Sequence, residues 1–152
     1  MPPEDSFTSC SYRQRIEAIL PASGATHIRR DPDGDFVFRR DEMTLLLALD
    51  EQDPGFIRVI LPRFHTAESD AARLRLLEAS SRTCAAVKLA KLFFVGDDLF
   101  AVVEAVAPTP ASVDAAFIQR LVSSAIASAV YVIRTANGHE PEFLRQSTVA
   151  FQ

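Results

Sequence analysis

The sequence predicts an α+β domain: an antiparallel sheet of about five strands covered by helices, in the order α-β-β-β-α-β-β-α. Three observations predict it. Ala86–Val106 (AVKLAKLFFVGDDLFAVVEAV) holds two apolar runs on either side of Gly96-Asp97-Asp98. Between His27 and Leu61, runs rich in β-formers are separated by turn residues. Segments with helical spacing of apolar residues stand before, between and after these runs.

Taken in order, residues 1–10 are short, polar and proline-containing and are expected to be disordered. Ser11-Tyr12-Arg13-Gln14 fits a capping box, with Ser11 as cap and Gln14 at the third helical position. Ile16, Ile19 and Leu20 then share a helical face, and Pro21 ends a helix of about Tyr12–Leu20. Asp31-Pro32-Asp33-Gly34 is a turn, Asp35–Arg40 a strand, Arg40-Asp41-Glu42 a second turn and Met43–Leu49 a further strand. After the loop Asp50–Gly55, Phe56–Leu61 forms a strand ended by Pro62. Strands joined by such short turns pair as an antiparallel meander.

Thr66 is the expected cap of the next helix, with Glu68 and Asp70 in its first turn, where negative charge suits the helix dipole. Ala71, Leu74 and Leu77 give that helix a modest stripe expected to face the core, and it runs to about Arg82. Val87–Val95 and Leu99–Val106 follow as a hairpin. Gly96-Asp97 suits the centre of a type II′ turn, which needs φ > 0 at its first position. Asp97-Asp98 is the other possible centre and would set Lys91 opposite Glu104. Both strands are apolar on both faces apart from Lys88, Lys91 and Glu104. Such strands are covered on both sides, or covered on one side and used for contact on the other.

Thr109 as cap and Pro110 at the first helical position open a last helix, Pro110–Thr135, stopped by Asn137-Gly138. Phe117, Leu121, Val122, Ile126, Val130 and Ile133 form its apolar face, and its middle is rich in alanine and serine. Small side chains allow close approach, either to the chain's own sheet or to a second copy. Residues 137–152 form a C-terminal tail whose Phe143, Leu144, Val149 and Phe151 leave open whether it docks.

The length of 152 residues fits a single domain spanning 11–136. A 48% hydrophobic and 24% charged composition is that of a globular protein. The net charge of −4 argues against nucleic acid as a partner. Neither a basic n-region nor an apolar h-region opens the chain, and the serines of the last helix interrupt its longest apolar run. With Cys10 and Cys84 as free thiols, a cytoplasmic location without membrane contact is expected.

No catalytic, cofactor or metal site is expected. Asp31, Asp33, Asp35 and Glu42 have the carboxylate spacing of a calcium loop, but Phe36 stands where that loop requires glycine. An acidic hairpin turn is the better reading. His27, His65 and His139 lie apart and lack metal-ligand spacing. Cys84 reads as a structural thiol, although pairing with His65 as a nucleophile is conceivable on residue type alone. The 5 glycines are scattered, so no phosphate-cradling loop is present. Ser123 and Ser124 stand mid-helix, away from any nucleophile elbow. Arg29, Arg30, Arg39 and Arg40 are balanced by neighbouring carboxylates and read as a solvated mixed-charge face.

Over Ile16–Thr135 the chain resembles the YbjN family, whose fold is similar to that of type III secretion chaperones. The residues carrying the resemblance are Asp33–Phe38 (DGDFVF), Asp50–Pro62 (DEQDPGFIRVILP), Leu77-Glu78-Ala79, Val87–Leu92 (VKLAKL) and Val103-Glu104. Ser80–Cys84 and His65 depart from the family pattern. The resemblance implies a non-enzymatic α+β domain that pairs as a homodimer and binds other polypeptides.

The expected function is therefore that of a chaperone-like or adaptor protein, dimeric through the hairpin face or the Ala/Ser-rich helix. Leu92, Phe94, Phe100, Val102, Phe117, Leu121 and Ile126 are the candidate partner or dimer surface. The alternative is a small-ligand-sensing regulatory domain, with Phe36, Phe38, Phe93, Phe94 and Phe100 lining a pocket between the sheet and the last helix.

Overall fold

The computed structural model describes residues 8–139. Most of the expected N-terminal disorder, and the tail from residue 140 onward, lie outside the described residues. The elements are α1 (Ser9–Ile19), β1 (Thr26–Arg30), β2 (Phe36–Arg40), β3 (Met43–Leu49), β4 (Phe56–Thr66), α2 (Asp70–Ala86), β5 (Ala90–Val95), β6 (Asp98–Val106) and α3 (Ala115–Ala136). The strands form one six-stranded antiparallel sheet in the order β1-β2-β3-β4-β6-β5. The α+β class is as the sequence predicts, and so is the element order apart from one added strand before α2.

The sixth strand is β1, within the region expected to be extended but given no strand of its own. All five of its residues are exposed, so it shows no inside–outside alternation. Its pairing with β2 slips between Thr26 and Arg29, where His27 adopts φ 52°. From β2 to β3 the register is regular, Phe36 facing Leu47 through to Arg40 facing Met43. Asp41 and Glu42 make the two-residue turn between them, both at positive φ.

Three helix starts differ from expectation. Thr8, not Ser11, caps α1: its hydroxyl accepts from the Ser11 amide, so the helix begins earlier. Ser69, not Thr66, caps α2, because β4 continues through Pro62 and Thr66 ends that strand instead. Arg63 at φ 46° follows Pro62 and gives the strand the backbone irregularity that accommodates a proline. Thr109 does cap a turn at Pro110, but that turn is the short 3-10 segment Pro110–Ser112. The helix proper starts at Ala115, with the Asp114 carboxylate accepting from the Phe117 amide. Its end is a Schellman closure, His139 N–H to Arg134 and Gly138 N–H to Thr135.

By internal contacts the described residues divide into two compact units, one up to Val59 with Glu104–Val122, the other Ile60–Val103 with the chain from Ser123. In the first unit Tyr12, Ile16, Leu20, Phe36, Phe38, Leu45, Leu47, Ile57 and Val59 are buried. In the second, Ala67, Leu76, Ala79, Leu99 and Val132 form the core, joined by Phe64, Leu92, Phe94, Ile133 and Ala136. Contrary to the reading of its serines as a break, α3 is long and apolar enough by length and composition to cross a membrane. Ile118, Leu121, Val122, Ala125, Ala129 and Val132 on this helix are buried within the protein, as in a core helix.

Candidate protein-binding surface

In the β5–β6 hairpin Val95 faces Asp98, so Gly96 and Asp97 are the two turn residues. Gly96 takes φ 61° while Asp97 is not among the left-handed residues, as a type II′ turn requires. Lys91 therefore faces Val102, not Glu104.

That register sorts the doubly apolar hairpin into two faces, because opposite residues in an antiparallel pair share a face. Leu92, Phe94 and Leu99 belong to the core of the second unit. Lys91, Phe93 and Val95, opposite Val102, Phe100 and Asp98, make the other face. Phe93 is 42% and Val95 55% exposed. The Phe93 and Phe100 rings stack at 5.8 Å between centroids.

The turn end of the hairpin is tied to β4 and α2. The Ala67 amide donates to the Asp97 carbonyl at 2.8 Å, and the Thr66 hydroxyl to the Asp98 carboxylate at 2.6 Å. Arg73 of α2 bonds the Gly96 carbonyl and lies 4.3 Å over the Phe94 ring. Further along α2, Leu74 and Leu77 are exposed.

The two edges of the sheet differ. At one edge β1 carries Arg29 and Arg30, a register slip and a left-handed residue, all of which discourage an added strand. At the other, β5 has regular pairing to β6 and neither proline nor bulge, and among the described residues no strand pairs with its outer side. An apolar, regular, unpaired edge is a template for another strand.

Of the candidate surface residues, Phe100 lies on the outward hairpin face and Val102, also on that face, is 6% exposed. Leu92 and Phe94 pack on the core of the second unit. Leu121 is 3% exposed, and Phe117 and Ile126 are half-buried on α3. Sequence reasoning missed Val95, Leu74 and Leu77 as surface residues, and Phe93 except as a pocket wall. The missing signal was the hairpin register: a doubly apolar strand does not say which alternate set faces out. Of the five phenylalanines offered as pocket walls, Phe36 and Phe38 are each 1% exposed core of the first unit, and Phe94 is core of the second. An open pocket of about 240 Å³ does occur in the second unit, lined by Arg75, Glu78 and Arg82 of α2 and Thr135, Ala136 and Gly138 near the end of α3.

The residues with chemical potential have local roles. Asp31 accepts from the amides of Asp33 and Asp35, closing the acidic turn. Burial, reinforced by Asp31, raises the Asp35 carboxyl above its ordinary pKa, against a lowering backbone hydrogen bond from Leu49 and the Arg13 charge. Cys84 lies within α2, and His65 on β4 is exposed. Among the described residues, no group of three or more His, Cys, Asp or Glu is placed to hold a metal ion.

No family model matches the chain, and no curated protein matches it. Among solved structures it is similar to the Yersinia pestis type III secretion chaperone SycH, crystallised in complex with a stable fragment of YscM2. The TM-score is 0.54 at 11% identity, over 80% of this chain and 98% of that one. At that identity the likeness speaks for the fold alone: this chain has the α+β fold of a type III secretion chaperone.

Proposed function

We propose that the protein is a non-enzymatic, chaperone-like adaptor that binds extended segments of other polypeptides, as a homodimer in the cytoplasm. The observation that carries this reading is the outward hairpin face, where exposed Phe93 and Val95 border an unpaired strand edge. A neighbouring segment gains main-chain hydrogen bonds from the β5 edge and buries apolar side chains on Phe93, Val95 and Phe100. The complex of SycH with a YscM2 fragment supports a polypeptide ligand for this fold. The resemblance to the YbjN family extends the reading to a regulatory adaptor.

Affinity capture of the tagged protein from its own cells, followed by mass spectrometry, tests it. The expected result is one dominant stoichiometric polypeptide that is lost in the Phe93→Ser, Val95→Ser double variant. Recovery of that polypeptide unchanged by the double variant would remove the hairpin face from the reading.

A further inference from the structure

We propose that the pocket between α2 and the end of α3 is a binding site for a singly charged carboxylate the size of an acidic side chain, held by Arg75 together with the Thr135 hydroxyl. The site shares no residue with the outward hairpin face and goes beyond the adaptor reading.

Helical spacing assembles the charged wall. Arg75, Glu78 and Arg82 follow one another at intervals of three and four residues, so they stand on one side of α2 and line the pocket. Thr135, Ala136 and Gly138 close it at the end of α3. All of these residues belong to the second unit. The open volume of about 240 Å³ is below that of a pocket for a large ligand and accommodates a carboxylate on a short stem.

The polar groups select the charge. Arg75 is exposed, and among the described residues neither an ion pair nor a hydrogen bond engages it. Its planar guanidinium matches the two oxygens of a carboxylate. Arg82 is already engaged within the chain and contributes charge rather than a free donor. Two arginines against Glu78 leave one excess positive charge on the wall, which balances a monoanion and not a phosphate dianion. The end of α3 sets few bare acceptors against an anion. The amides of Asn137, Gly138 and His139 already cover the carbonyls of Ile133, Thr135 and Arg134.

Thr135 supplies the observation that packing does not explain. Other helical hydroxyls of this chain donate to the carbonyl four residues back, Thr83 to Ala79 at 2.8 Å and Ser128 to Ser124 at 2.6 Å. The Thr135 hydroxyl oxygen is buried and has no hydrogen-bond partner among the described residues. A buried hydroxyl without a partner raises the free energy of the unliganded protein. Helical threonine uses two rotamers, and one rotation between them exchanges methyl and hydroxyl and offers the proton to a ligand oxygen. That rotation breaks no existing hydrogen bond.

Titration of the full-length chain with N-acetylglutamate methylamide, whose one charge is its side-chain carboxylate, tests the site. The readout is the NMR shift of the Arg75 and Thr135 backbone amides. Because Glu140 and Glu142 follow closely on Gly138 in sequence, the titration is repeated in the Glu140→Gln, Glu142→Gln variant. Saturable shifts in both proteins are expected. Saturation in the variant alone would also bear the site out and would identify the chain's own glutamates as its carboxylate source. Arg75→Gln should weaken binding about threefold to tenfold, and Glu78→Gln should tighten it about twofold. Thr135→Val should weaken binding without lowering the melting temperature, since it removes a hydroxyl that has no partner to lose. Equal shifts with N-acetylglutamine methylamide would overturn the proposal. So would the absence of saturable shifts in both proteins, or an affinity unchanged by Arg75→Gln or by Thr135→Val.

Discussion

The Tyr12 hydroxyl donates a 2.7 Å hydrogen bond to the carbonyl of Ala107, a residue 95 positions further along the chain. The Ala107 amide in turn donates to the Gly55 carbonyl at 2.8 Å. Tyr12 is 1% exposed, and burial raises its phenol above its ordinary pKa. Three distant stretches of the first unit thus meet at one point. Gly55 sits there at φ 97°, where an added Cβ would stand 2.5 Å from the Ala107 oxygen and 2.8 Å from the Tyr12 oxygen. Gly55→Ala is expected to cost about 2–4 kcal/mol, from a left-handed backbone and a steric clash together. Tyr12→Phe is expected to cost about 1–2 kcal/mol by leaving a buried carbonyl short of its donor. Urea denaturation of both variants checks the order of the two effects.

Asp35 makes stability depend on pH. Its folded pKa lies above its ordinary value, so the folded state holds the proton more tightly than the unfolded chain. The contribution of this group is fully present below the ordinary aspartate pKa and is lost as pH rises through the raised value. Asp35→Asn should therefore melt higher than the unmodified protein at neutral pH. The gap should close as pH falls below the ordinary carboxylate range. Melting curves at a series of pH values check this, and a gap that widens on acidification would contradict it.

The two faces of the hairpin should respond differently to truncation. Leu99 is 0% exposed in the core of the second unit, so Leu99→Ala should cost about 2–5 kcal/mol. Val95 is 55% exposed in the single chain, so under conditions where the protein is an unbound monomer Val95→Ala should cost no more than about 0.5 kcal/mol. Chemical denaturation of the pair measures the contrast, and similar losses would mean that the outward face is covered.

The hairpin turn gives a test of local backbone demand. A Cβ on Gly96 would meet nothing within 4 Å, so only its φ of 61° resists substitution. Gly96→Val is expected to cost about 1–2 kcal/mol, and Gly96→Asn clearly less, because a short polar side chain tolerates the left-handed region. Thermal melts rank the two variants.

By itself the sequence determined the α+β class, the order of the elements apart from β1, and a hairpin turning at Gly96-Asp97 or Asp97-Asp98. Those rest on local physics: period-2 and helical spacing, proline and glycine punctuation, and the φ > 0 required at Gly96. Tertiary structure decided what local signals left undetermined. It made Thr26–Arg30 an edge strand, since ladder hydrogen bonds to β2 hold a stretch whose five exposed residues carry no alternation. It carried β4 past Pro62 and so moved the cap of α2 from Thr66 to Ser69. It also divided the doubly apolar hairpin into a core face at Leu92 and Phe94 and an open face at Phe93 and Val95. Alternation along a strand states only that two faces exist. Which one is buried depends on where helices from distant parts of the chain come to lie.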